Sequence, residues 1–251
     1  MFEIIKQIYL NSIFYDKKIS PKTIYELEYK PSSYLLSSIV KISSKKFNID
    51  NFSFNNFWTD KELNQKQLQK LNNFYWLFSL DLKSSNKSVQ TVIKNWIEKN
   101  HKYNSKNWNF EVTSKRIISW LSNTALTYDN AENHYQKDYS LIIHKQASHL
   151  INQIDKESKL NNKIRGVAAI ILVGLAYKNE KNFTIKGLEN LKKIIKYTLD
   201  SNGFPKSRNI KSSIFFLKYL ILIREWFKES QSEIPNFIDE SIFNLGQSYA
   251  F

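Results

Sequence analysis

The sequence contains no cysteine, which excludes disulfide frameworks, thiolate metal sites and a cysteine nucleophile. It has only 5 glycines and 4 prolines. So few turn-formers over 251 residues argue against an all-β sandwich, which needs a turn every ten residues or so. Long helices joined by polar loops fit better. Histidine is also sparse. His101, His134, His144 and His149 form no H-x-x-x-H pair, so a zincin-type metal helix is unsupported, and no metal or cofactor is expected. No basic start is followed by the apolar core of a signal peptide. The most apolar stretch, 167–177, is too short to span a bilayer, which takes about 20 residues. The expectation is a soluble chain with no membrane partner, cytoplasmic by default, with a periplasmic location left open.

What is present is apolar mass and positive charge. Hydrophobic residues make up 42% of the chain, enough for a sizeable core, and the length suits one large domain, or one domain with a loosely attached N-terminal segment. The formal net charge is +14. A basic patch for an acidic polymer would produce this, and so would a compositional bias that scatters lysines over a solvated surface. Among 37 basic residues only Arg116, Arg165, Arg208 and Arg224 are arginines, and they run against that bias. Lysine pairs such as Lys17-Lys18 and Lys45-Lys46 are too short to form the continuous basic stripe of a nucleic-acid binder, so no nucleic-acid partner is expected.

Residues 1–60 read as an irregular arm that packs aromatics such as Phe47, Phe52, Phe54, Phe57 and Trp58 onto the rest. Residues 61–251 read as a helical domain. Leu68, Leu71, Tyr75, Phe78 and Leu82 share one helical face. A second helix follows Ser88 as N-cap, with Val89, Val92, Ile93, Trp96 and Ile97 as its stripe. A third starts near Thr113 and carries Ile117, Trp120, Leu121 and Ala125, and a fourth runs from about Asp138. The fifth, Val167 to Ala176, has no polar face, so it is expected to be buried on every side, with Ala168, Ala169, Gly174 and Ala176 allowing close neighbours. A sixth helix follows Thr184. A loop over 200–209 then places Gly203 at a positive-φ position, and helices over Ile210–Lys228 and after Pro235 complete the chain. Amphipathic helices around one apolar helix imply an all-α fold, an α/α toroid or incomplete barrel of antiparallel helix pairs. A helical-repeat solenoid is the alternative, but no fixed period is visible.

Four ordered blocks carry a family likeness: residues 74–80, residues 92–97 followed by Trp108, residues 113–122, and the loop Asn202-Gly203-Phe204-Pro205-Lys206-Ser207-Arg208-Asn209 with Leu222-Ile223-Arg224-Glu225 behind it. Together they resemble the N-terminal toroid of heparinase II/III-like proteins common in alphaproteobacteria, over roughly residues 50–248. The resemblance implies a C-terminal β-sandwich beyond the toroid, acidic polysaccharide in the cleft between them, and eliminative cleavage of uronate chains by a Tyr or His base. The chain stops at Phe251, where that sandwich is expected to begin. Family members often read Asp-Gly-Gly-His-x-Ser-Arg-Asn-Pro at the loop. Here Asn202, Phe204, Pro205 and Ile210 replace the Asp, second Gly, His and final Pro, and Ser212 falls where a catalytic Tyr is expected. The implied function is therefore lyase-type cleavage or binding of acidic polysaccharide, with catalysis weakened by these departures. The alternative is a non-catalytic anionic-glycan-binding or interaction domain.

The candidate substrate contacts are Arg208, Asn209, Arg116, Trp120 and Trp108. A guanidinium offers a planar fork to a carboxylate or sulfate. Arg208 could equally pair with an acidic neighbour. Asn209 could neutralise a carboxylate, but it is also a good N-cap. Arg116 and Trp120, four apart on one helix face with Trp108 upstream, could grip and stack on a sugar, or could belong to the core. His134 and His144 are candidate bases or unremarkable exposed histidines.

Overall fold

A computed structural model describes residues 2–39, 64–80, 85–200 and 202–250. These residues form twelve α-helices and two short 3-10 turns, with two isolated β-bridges and no strand among the described residues. The helices are α1 (Phe2–Leu10), α2 (Ile13–Ile19), α3 (Ser33–Ile39), α4 (Gln65–Asn72), α5 (Asn86–Asn100), α6 (Phe110–Leu121), α7 (Thr124–Thr127), α8 (Asn133–Gln153), α9 (Leu160–Ala176), α10 (Lys181–Thr198), α11 (Ile210–Glu229) and α12 (Asn236–Ala250).

The all-apolar helix is the centre, as its sequence implied. Every residue from Val167 to Val173 is completely buried, and α9 packs against α6, α8, α10 and α11. Helix α10 returns antiparallel along it: Gly174 faces Thr184, and Gly187 faces Ile171. Helix α11 then runs parallel to α9. Arg165, in the first half of α9, meets Tyr219 at the middle of α11, and at their ends Tyr29 links the Ala176 carbonyl to the Glu229 carboxylate. This inner–outer–inner alternation is the unit of an incomplete α/α toroid. It gathers the starts of α6, α9 and α11, the end of α10 and the loop over 200–209 at one end of the barrel, here termed the loop face.

Gly174 shows how tight the centre is. A Cβ there would overlap the Thr184 backbone, which cannot swing away as a side chain can. Alanine favours a helix over glycine by about 1 kcal/mol, yet overpacking costs about 1–3 kcal/mol. Gly174→Ala is therefore expected to lower the melting temperature by several degrees; an unchanged or raised melting temperature would show that α10 yields freely.

Several local expectations are corrected. The helix carrying Leu68 and Leu71 does not continue through Phe78. It ends at Asn72, Phe74 takes φ 58°, and a 3-10 turn spans Tyr75–Ser79. The break lets the Phe74 ring pack edge-on to Trp96 and Trp120, while Asn73 and Ser119 bond the freed backbone. The caps also shift: Ser85 rather than Ser88 caps α5, and Asn109 rather than Thr113 caps α6. Helix α6 ends at Leu121, so Ala125 lies in the short α7 and is exposed. Helix α8 begins at Asn133, five residues before Asp138.

The N-terminal arm is not irregular over residues 2–39, where it contains α1, α2 and α3. These short helices are fixed by the toroid. Lys145 bonds Asp16, Tyr15 bonds His149, and Leu36 is fully buried on the side of α11. Leu27 bridges to Tyr177. The aromatics at 47–58, Leu82 and the boundary at 60–61 lie outside the described residues.

Candidate functional site

The loop over 200–209 is built by its own backbone. Asp200 N–H donates to the Phe204 carbonyl, and Lys206 N–H to the Thr198 carbonyl, each at 2.9 Å. The Asp200 carboxylate accepts from the Asn202 and Phe204 N–H groups at 2.9 Å. Gly203 has φ 78°, and a Cβ there would overlap the Asn244 side chain, so only glycine fits where α12 crosses the loop.

Arg208 is held at φ 53° by its own N–H bond to the Pro205 carbonyl, a conformation that costs a non-glycine residue about 1–2 kcal/mol. Its side chain is exposed, and among the described residues its guanidinium has no hydrogen bond or ion pair. The other three arginines are all engaged. Arg224 pairs with Asp239 and Glu225, Arg165 bonds Tyr219 and Asn162, and Arg116 is enclosed in the core. Asn209 is the N-cap of α11, its Oδ1 accepting from Ser212 N–H at 3.2 Å. The capping role is thus realised, and the position expected to hold a catalytic Tyr is occupied by a Ser in the first helical turn. Arg208 and Asn209 form one exposed, cationic corner of the loop face.

Behind the loop face a second charged cluster joins three helices. Arg165 Nε donates to Tyr219 Oη at 3.1 Å, its NH1 lies 3.5 Å from Glu111, and its guanidinium covers the Phe215 ring at 5.2 Å. Lys115 pairs with Glu111 at 2.6 Å. Burial alone would raise the Glu111 carboxyl, but Lys115 and Arg165 together hold it below the usual carboxylate range. The Tyr75 hydroxyl is buried near Tyr219 with no hydrogen bond of good geometry among the described residues, and burial pushes it well above an ordinary phenol. Because Glu111 and Tyr219 already satisfy Arg165, this cluster ties α6, α9 and α11 together rather than presenting free charge. Its only signal in the sequence was the rarity of arginine.

The other expected contacts are corrected. Arg116 is fully buried, donating to Gln146 (3.1 Å), the Asn72 carbonyl (2.8 Å), the Asn107 carbonyl (2.9 Å) and Thr113 (3.3 Å), with its guanidinium 4.0 Å from the Trp96 ring. Trp120 is also fully buried, stacked on Tyr139 and edge-on to Phe74 and Trp96. Trp108 is 1% exposed, and its indole donates to the Asn100 carbonyl at 3.1 Å. None offers a ring face or a free donor to a sugar. The helix face carrying Arg116 and Trp120 points inward because α4, α5 and α8 cover it. His134 is exposed beside Asp138, whereas His144 is buried, its Nε2 3.2 Å from Glu180. Among the described residues no group of three His, Asp or Glu could hold a metal ion, and no helix is long and apolar enough to cross a membrane.

No protein-family model matches the chain, and no curated protein matches it. Among solved structures, the heparan sulfate lyase HepC from Pedobacter heparinus matches with a TM-score of 0.58 at 14% identity, over 97% of this chain and 41% of that one. At that identity the likeness is one of fold. The chain is an incomplete α/α toroid with a heparinase-like fold, spanning 41% of the length of the lyase it resembles.

Proposed function

We propose that this chain is the toroid part of a heparinase-like polysaccharide lyase, and that the corner formed by Arg208 and Asn209 holds an acidic, uronate-containing polysaccharide. The observation that carries the reading is the fold shared with a heparan sulfate lyase over 97% of the chain. The loop adds support: its arginine is strained, exposed and unpaired among the described residues, whereas the other three are engaged. A guanidinium accepts a carboxylate or sulfate bidentately. A C-terminal β-sandwich belongs to this proposal as the partner that would close the cleft.

The chain alone is expected to bind rather than to cleave. Pro205 on the loop and Ser212 in the first turn of α11 stand where the resemblance places His and Tyr, and the Asp200 carboxylate is committed to two backbone N–H groups. Incubated with heparan- or alginate-type polymer, the purified chain should give little or no ultraviolet absorbance from unsaturated uronate. A strong signal would overturn this.

Binding is tested by Arg208→Ala. Charge-assisted hydrogen bonds contribute roughly 1.5–3 kcal/mol, so affinity for a short uronate oligomer should fall about ten-fold or more. Affinity for DNA of equal charge should change little. An equal loss on both polymers would reduce the site to general polyanion attraction.

A further inference from the structure

Two cavities open beside the loop face. One, of about 240 Å³, lies at the start of α6 and includes Lys6, Gln7, Asn109, Gln153 and Lys156. The other, of about 550 Å³, lies between the α8–α9 turn and α10 and includes Lys156, Lys163, Asn190, Lys193 and the ring of Tyr197. They share Lys156 and Glu157, so they adjoin. The second cavity leads on to the loop, because the Lys206 ammonium donates to the Lys196 carbonyl at 3.1 Å, one residue from Tyr197. Lys206 is two residues from Arg208.

Three features give this track a chemistry. Four lysines line the two cavities against two carboxylates, Asp155 and Glu157. Glu157 is partly committed already, accepting from the Lys159 N–H and the Asn162 amide. Lys156, Lys163 and Lys193 have no ion-pair partner among the described residues, whereas Lys30, Lys115, Lys145, Lys178 and Lys186 are each paired. Between the lysines stand the amides of Gln7, Gln153 and Asn190, which can donate to and accept from neighbouring hydroxyls. Tyr197, 80% exposed at the rim, is an isolated stacking platform. A single-stranded nucleic acid would use a series of aromatic platforms for successive bases. Alternating cations and amides suit a chain of hydroxylated, negatively charged sugars.

We infer that the two cavities and the Arg208 corner form one path for a linear acidic glycan, so that the loop face takes an oligomer of several sugars rather than a single residue. This rests on the proposed reading of the chain as an acidic-glycan binder, and it assigns Lys156, Lys163 and Lys193 as contacts remote from the loop.

The test is the length dependence of binding. Heparan sulfate tetra- and dodecasaccharides, and single-stranded DNA of equal charge, are titrated against the wild type, Lys156→Glu with Lys193→Glu, Arg208→Ala, and a control pair on α5, Lys94→Glu with Lys99→Glu. Circular dichroism verifies that each is folded. In the path variant, dodecasaccharide affinity should fall at least ten-fold and tetrasaccharide affinity less than about two-fold, with DNA affected no more than in the control. No loss, an equal loss at both lengths, or an equal loss on DNA overturns the path. Loss of tetrasaccharide binding in Arg208→Ala bears on the loop site separately, so failure of the path and failure of the proposed function give different patterns.

Discussion

Arg116→Ala should destabilise the chain by about 3–5 kcal/mol, the cost of leaving a buried polar constellation without its partner. Four donated hydrogen bonds disappear together, and the carbonyls of Asn72 and Asn107 and the Gln146 side chain lose a donor in the dry interior. The guanidinium also supports the Trp96 ring at 4.0 Å, so a cavity opens beneath the indole. These groups come from α4, the α5–α6 connection and α8, and their shared dependence on one side chain makes the loss cooperative. At about 2–4 °C per kcal/mol for a chain of this size, the melting temperature should fall by roughly 6–20 °C. Arg116→Lys should rescue little, because an ammonium cannot reproduce the planar fork. If Arg116→Ala melted within a few degrees of wild type while losing uronate binding, Arg116 would be a ligand contact after all.

A second large effect is expected from His149. It is 3% exposed, ringed by Tyr15, Tyr103 and Trp108, and its Nδ1 lies 2.7 Å from the Tyr15 hydroxyl. Burial pushes the imidazole down from 6.5 to about 4, with the Trp108 backbone opposing that shift and the charges of Arg116 and Lys156 adding to it. The folded state therefore binds the proton more weakly than the unfolded chain. Its stabilising contribution is present above pH 6.5 and is lost as the pH falls toward 4, by about 3 kcal/mol over that window. Denaturant unfolding at pH 7 and pH 4.5 should show this loss in the wild type. His149→Gln, which cannot titrate, should be less stable at pH 7 but should lack that part of the pH dependence. Identical pH slopes for the two proteins would mean that protonation is accommodated without strain.

Periodicity located α5, α8, α10 and α11, whose apolar stripes run for three turns or more, but the stripe beginning at Leu68 leaves the α-helix after Asn72. It failed on α1, α2 and α3, which are 9, 7 and 7 residues long. Isolated helices shorter than about 12–15 residues are marginal, and these are held by partners distant in sequence, such as His149 for Tyr15 and Lys145 for Asp16. The break at Phe74 was invisible for a similar reason. Its positive φ is stabilised by Trp96, Trp120 and Ser119.

The sequence by itself determined the all-α class, the buried central helix and the glycine at the loop turn. Each follows from a local constraint: scarce turn-formers, a helix without a polar face, and a turn whose φ of 78° favours glycine. Only the tertiary structure decided which arginine is free. Arg116 and Arg208 are chemically identical, and nothing in the spacing of Arg116 and Trp120 says whether their shared face meets solvent or another helix. The packing of α4, α5 and α8 over α6 encloses Arg116, while the turn from Pro205 to Asn209 leaves Arg208 exposed. The lysine path was likewise beyond sequence reading, since Lys6, Lys156 and Lys193 lie on separate elements that only the closure of the toroid brings to one end.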